Sequence, residues 1–235
     1  MNRIVKFRLS GDYGHFKIPY TNNNPLTYSF IPKTALMGLI GAVVGIERND
    51  MKRLFPILCN SLKYSLSFNN EFRKESISTY CVNFNNFSKS DRPNKAPKPV
   101  EHLKNPDWNV YITINNNSTD EVKIIFDCFI DNIINGVYVW TPTLGAKQCS
   151  CIINEIEVGE ATIENGDFTT KNFAKIYNST DLDELVYSDN IPTFQDENWC
   201  NDITKNVDVF FVDNNKTINS SGEYYLFNNE KFVMI

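Results

Sequence analysis

The chain has 235 residues, 42% apolar and 22% charged, which allows one large domain or a domain with a smaller companion and excludes a disordered chain. Its net charge of −5 argues against a nucleic-acid binder until it is resolved along the sequence. Residues 1–110 carry 16 Lys/Arg against 8 Asp/Glu and residues 111–235 carry 7 against 20, so a polyanion is attracted to the first part and repelled by much of the second.

In chain order, Arg3 to Leu9 alternates, with Val5, Phe7 and Leu9 on one side and Lys6 and Arg8 on the other, which predicts a half-buried strand. Turn-rich sequence follows from Ser10 to His15 and from Pro19 to Pro25. A helix is expected from Pro32-Lys33-Thr34 through Leu36, Leu39, Ile40, Val43 and Val44 to Gly45, because proline is tolerated in a first turn where its missing N–H is not needed. A short helical piece near Met51–Phe55 precedes a second strand, Leu62 to Phe68. Residues 69–106 show no sustained period and read as a long basic insertion; Trp108 to Ile114 reads as a third strand.

Val122, Ile125, Phe126, Phe129, Ile130, Ile133 and Ile134 then mark an amphipathic helix, with Thr119 or Asp120 to cap its start and Gly136 its end. Val137 to Trp140 is read as a fourth strand running into Thr141-Pro142-Thr143-Leu144-Gly145. Beyond Val158 come short strands and acidic turns, with hairpin signals at Asn165-Gly166 and Asn228-Asn229. The order is βαββαβ, which predicts an α+β, ferredoxin-like domain over 1–155 and a β-rich appendage over 156–235.

Six cysteines without a CxxC pair, and two histidines, predict reduced, mostly buried thiols and call for no metal and no cofactor. The longest apolar run, Ala35 to Ile46, is well below the ~20 residues of a spanning helix, and the first residues are charged. Both point to a soluble cytoplasmic protein with no membrane partner.

Two segments resemble a known family: Phe7 to Gly11 continuing through Phe16–Asn22 and Thr27–Ala42, and Asn135 to Gly145. They are similar to the CRISPR-associated Cas family five, a branch of the RAMP superfamily, and within it to members of type I-B systems. The resemblance implies a ferredoxin-like body with a thumb, the thumb falling on the insertion at 69–106. It implies a subunit at the foot of the Cascade complex that holds the 5′ handle of the CRISPR RNA. Such a subunit contacts the large subunit and the first backbone subunit, and meets target DNA only indirectly.

Candidate RNA contacts follow. The helix start at Lys33 and Thr34 offers backbone N–H groups and the positive helix pole to a phosphate. Arg92, Lys95 and Lys98 in the insertion, near Phe84 and Phe87, combine phosphate neutralisation with aromatic stacking. Tyr20, Thr21 and Tyr28 lie on the approach to the first helix, where they either touch sugar and base edges or pack over a sheet edge. Arg8 could reach RNA laid across the sheet or be a solvated strand residue, and Lys147 could add a phosphate contact or be an exposed loop lysine. Metal-free RNA cleavage would need a base and an acid, for which His15 with Tyr13 and Lys17 is the foremost candidate; His102 near Lys104 has no assignable partner. The resembled lineage leaves processing to a separate endonuclease, so a non-catalytic subunit is the expectation.

Overall fold

The computed structural model describes residues 2–21, 23–82, 95–175, 179–181, 186–198, 204–213 and 216–235. In chain order the elements are β1 (Asn2–Ser10), β2 (Tyr13–Gly14), α1 (Lys33–Val44), α2 (Arg48–Ser61), β3 (Leu62–Phe68), β4 (Lys74–Val82), β5 (Lys95–Lys104), β6 (Asp107–Ile114) and α3 (Asp120–Asn135). They are followed by β7 (Ile152–Thr170), β8 (Ala174–Lys175), β9 (Ser179–Asp181), β10 (Tyr187–Gln195), β11 (Thr204–Phe211), β12 (Ile218–Phe227) and β13 (Glu230–Phe232).

The main sheet has the order β13-β12-β7-β1-β6-β3, with every neighbouring pair antiparallel. One face, carrying Val5, Phe7 and Leu9 of β1, packs on the helices; Phe7 meets Phe129 of α3 edge-on at 5.8 Å. The other face carries a smaller cluster of Ile4, Tyr111, Ala161, Tyr225, Phe227, Phe232 and Met234. Polar side chains of β1 therefore share their face with a second apolar layer and are not fully open to solvent.

Five expected elements, at β1, α1, β3, β6 and α3, form where their periodicity places them. Gly45 and Gly136 end α1 and α3 in the left-handed conformation that glycine adopts at least cost. Thr119 stands at the N-cap of α3 but makes no side-chain capping bond. The helical piece read at Met51–Phe55 is longer, running through Pro56 to Ser61. The proline costs one backbone bond, and burial of Met51, Leu54, Phe55, Leu58 and Cys59 carries the helix past it.

Three expectations are corrected. Val137–Trp140 forms no strand: Val139 and Trp140 donate their N–H groups to Val43 and Ala42 at the end of α1. The strand that pairs with β1 after α3 is β7. The insertion at 69–106 is not without structure, because β4 and β5 pair from Lys74↔Leu103 to Val82↔Lys95 as a hairpin arm, and β2 joins its base. Asn165-Gly166 makes no turn; it lies within β7, where Gly166 faces Gly222 of β12. Asn228-Asn229, both at positive φ, does close the β12–β13 hairpin.

The division drawn at 155/156 falls inside β7, whose first half pairs with β1 and whose second half pairs with β12. The small sheet β10-β11-β8 packs over α1 and α2 and sends Ile191, Val209 and Phe211 into the main core, joined by Phe173 just before β8. Phe211 meets Phe30, Phe68, Phe72 and Tyr187 at ring distances of 5.1–5.6 Å.

Candidate nucleic-acid interface

The outer face of the main sheet is occupied by the protein itself. Tyr111 is 1% exposed, lies 4.5 Å from the Phe232 ring and donates its hydroxyl to Glu230. Lys6 pairs with Glu157 and Glu230, at 3.4 and 3.0 Å. Arg8 makes a two-pronged contact with Asp107 (Nε 2.9 Å, Nη2 2.6 Å) and donates Nη1 to Glu155 at 2.7 Å. A bulge between Lys6 and Arg8, with Glu155 at φ +51, brings that second carboxylate in.

Both acids raise the Arg8 pKa further; burial pushes Asp107 up, but its bonds from Arg8 and Asn69 outweigh this and hold it below the usual carboxylate value. The placement corrects the expectation for Arg8. RNA crossing this face would have to displace two carboxylates from a satisfied guanidinium.

A groove of about 700 Å³ lies on the other side of the molecule. Its walls are the loop from His15 to Tyr28, the first turn of α1 (Pro32, Thr34, Ala35), the turn Gly145-Ala146, and Pro192, Gln195, Thr204 and Asn206 of the small sheet. Five residues singled out in the sequence meet here: His15, Lys17, Tyr20, Tyr28 and Thr34. Lys147 stands exposed one residue beyond Ala146, at the tip of a turn closed by bonds from Leu144 N–H to Cys149 O and from Cys149 N–H to Ala146 O.

The 16–28 loop is built like a narrow hairpin. Tyr28 N–H donates to Phe16 O and Ile18 N–H to Leu26 O, and Lys17 bridges Thr27. Thr21 serves the loop itself, donating Oγ1 to Ile18 O and accepting from Leu26 N–H. Tyr20 at the tip is 84% exposed and free to stack, whereas Tyr28 is 7% exposed, with burial pushing its hydroxyl up to about 12. Of the two readings held for these residues, Tyr20 fits the stacking one and Tyr28 the packing one.

Glu101 of β5 ties this loop to the hairpin arm, a role the sequence did not disclose. Its carboxylate accepts from Thr27 N–H at 3.0 Å and pairs with Lys74 at 3.3 Å, while Lys74 Nζ donates to Thr27 O. Its carbonyl accepts from His15 Nδ1 at 2.7 Å. The His15 ring lies 5.3 Å from that of buried His102, and Tyr13 meets His102 edge-on. Burial lowers the His15 pKa; the bond to Glu101 works the other way, and His102 adds to the lowering. A neutral His15 with Nδ1 donating leaves Nε2 as an acceptor.

Lys33 departs from expectation. It is 6% exposed, and burial pushes its ammonium down to about 8, with Lys63 and Lys175 adding to the effect and Cys59 opposing it. Beside it, burial pushes the Cys59 thiol up to about 11. A lysine so enclosed reaches no solvent-borne phosphate; Pro32, Thr34 and Ala35, its neighbours at the α1 start, are what line the groove.

Lys33→Met is therefore expected to raise stability by about 3 kcal/mol at pH 7, since a shift of one pKa unit corresponds to about 1.4 kcal/mol. The unfolded chain holds this proton up to about pH 10.5 and the folded chain only to about 8, so wild type gains stability between those values. The advantage of the variant shrinks over that window, as urea melts at pH 7 and pH 9.5 would read.

On the arm, Lys98 of β5 is half-buried and pairs in register with Thr79; Lys95 pairs with Val82 at the end of the described hairpin. Arg92, Phe84 and Phe87 lie outside the described residues.

The comparisons with known proteins agree with this architecture. A family model described as CRISPR-associated protein (Cas_Cas5) matches residues 4–197. The fold is similar to a crystal structure of a CRISPR protein from Archaeoglobus fulgidus, at TM-score 0.53 and 10% identity, over 99% of this chain and 98% of that one. It is similar to a chain of a CRISPR RNA-guided surveillance complex at the same TM-score and identity, over 94% and 90%. At such identity the likeness speaks for the fold alone. No curated protein matches in sequence.

Proposed function

This chain belongs to the CRISPR-associated protein (Cas_Cas5) family, and from that premise we propose that it is a non-catalytic RNA-binding subunit of a type I Cascade-like surveillance complex. It holds the 5′ handle of the CRISPR RNA, bridges the large and backbone subunits, and meets target DNA only through the guide. The type I-B resemblance and a cytoplasmic location belong to the same reading. The strand order β7-β1-β6-β3, with α1 between β1 and β3 and α3 between β6 and β7, supports a ferredoxin-like core.

The groove is the observation that carries the RNA reading. It combines an exposed tyrosine for stacking, a helix first turn whose N–H groups favour an anion, and two lysines at its margin. The basic arm rises from the same loop through Glu101, so handle and arm contacts reinforce one another.

Labelled repeat RNA, titrated without metal across a salt series, tests this. Lys17→Glu with Lys147→Glu is expected to weaken binding at least tenfold and flatten the salt slope by about 1.4, given ~0.7 per phosphate contact on a single strand. Binding indifferent to the double reversal removes the groove from the site. The endoribonuclease alternative rests on the open Nε2 of His15, with Tyr13 and Lys17 as partners. RNA cleavage that His15→Ala abolishes would establish it in place of the non-catalytic reading.

A further inference from the structure

Four large apolar side chains stand exposed within the seven residues after the last buried turn of α3: Ile134, Val137 and Val139 at 55% each and Trp140 at 44%. Isolated exposed apolar residues are ordinary, but a group on one short segment marks a binding surface. This segment is also firmly held. Val137 N–H donates to Asn132 O, Val139 N–H to Val43 O and Trp140 N–H to Ala42 O, and the Asn132 side-chain amide donates to Val43 O. Gly45 lies so close to Val139 that an added Cβ would stand 2.7 Å from its Cγ1. The side chains are thus presented on a rigid ledge across the C-terminal ends of α1 and α3.

Electrostatics select the occupant. Both helices end here, each with the negative pole of its dipole, and neither has a basic residue in its last turn. Asp131, exposed just before the last turn of α3, adds a full charge. Phosphate is repelled from such a surface. A second copy joined about a twofold axis would bring like poles together.

We propose that this ledge docks a protein neighbour whose segment sets aliphatic or aromatic anchors against Ile134, Val137 and Trp140 and a lysine or arginine against the two helix ends. The inference rests on the reading of the chain as a subunit of an assembly, and it assigns the protein contact to a face separate from the groove.

The test uses the assembled complex, with this chain co-expressed with its neighbouring subunits and a guide RNA. A photo-reactive diazirine amino acid is placed at position 137 and, as a control, at 147. Position 137 is expected to capture a protein subunit through a peptide that carries apolar residues beside Lys or Arg, and position 147 to capture RNA. Capture at 137 of RNA, of a second copy, or of nothing while the guide-containing complex forms overturns the proposal. A complex that holds guide RNA but lacks this chain overturns the functional reading instead. Ile134→Glu with Val137→Glu, both at exposed positions, is expected to weaken retention of the captured subunit at least tenfold. The same variant should leave guide-RNA binding within twofold of wild type; equal loss of both would show a general failure of the fold.

Discussion

Phe211→Ala is expected to be the most damaging single truncation in the acidic third of the chain, costing about 3–5 kcal/mol. The ring is 1% exposed and stacks on Phe68 at 5.1 Å while meeting Phe30 and Phe72 edge-on. Its removal leaves a cavity bordered by β3, the approach to α1 and the base of the arm, elements that cannot all move inward together. For a chain of this size such a loss lowers the melting temperature by roughly 6–20 °C. Thermal melts followed by circular dichroism would read it. A shift of only a degree or two would mean that the small sheet contributes little to the core and that residues beyond 155 are an appendage after all.

Gly145→Ala is expected to disable the groove. The residue sits at φ +84, where an L side chain costs about 1–2 kcal/mol, and its Cβ would fall well inside contact distance of the His15 carbonyl oxygen. His15 and the 144–149 turn are joined there by the bond from His15 N–H to Leu144 O, so the clash separates two walls of the groove. Gly136→Ala supplies the comparison, because Gly136 has φ +64 and nothing within 4 Å of an added Cβ. Both variants bear the conformational cost; only Gly145→Ala should also lose RNA affinity, by tenfold or more. Equal RNA binding by the two would show that the close approach at His15 has no bearing on the ligand.

Legibility in the sequence followed one-sided burial. β1 and α3 each bury one face against the core, and their apolar residues recur with the period of the element. No residue of Lys74–Ser78 or Pro97–Val100 is fully buried, so β4 and β5 left no period to read. β7 is mostly exposed along its 19 residues, and its Asn165-Gly166 resembled a turn because only the opposing Gly222 shows that the chain runs straight. Val137–Trp140 alternates for a different reason: Tyr138 packs inward while its neighbours face out from a segment that caps two helices.

The candidate site was legible to a similar degree. The approach loop, the α1 first turn and the glycine turn were each singled out, and they converge on one groove. Burial of Lys33, neutralisation of Arg8 and the bridging role of Glu101 depend on partners 26 to 147 positions away, which local pattern does not encode. The wall formed by Pro192, Gln195, Thr204 and Asn206 has no local signal, because the acidic composition of this stretch suggests a part standing apart from the core.

The position of β1 has a consequence in time. Residues 2–10 form a central strand whose two neighbours are drawn from residues 107–113 and 152–161. At a synthesis rate of about 5–20 residues per second, the first strand made waits on the order of ten seconds for its second partner. Until then Ile4, Val5, Phe7 and Leu9 have no completed layer to enter, and both backbone edges of the strand stand open. Pairing at such sequence separation also slows the final collapse. Newly made chain is therefore most prone to aggregate before β7 is complete, and slower translation through residues 10–150 would lengthen that interval.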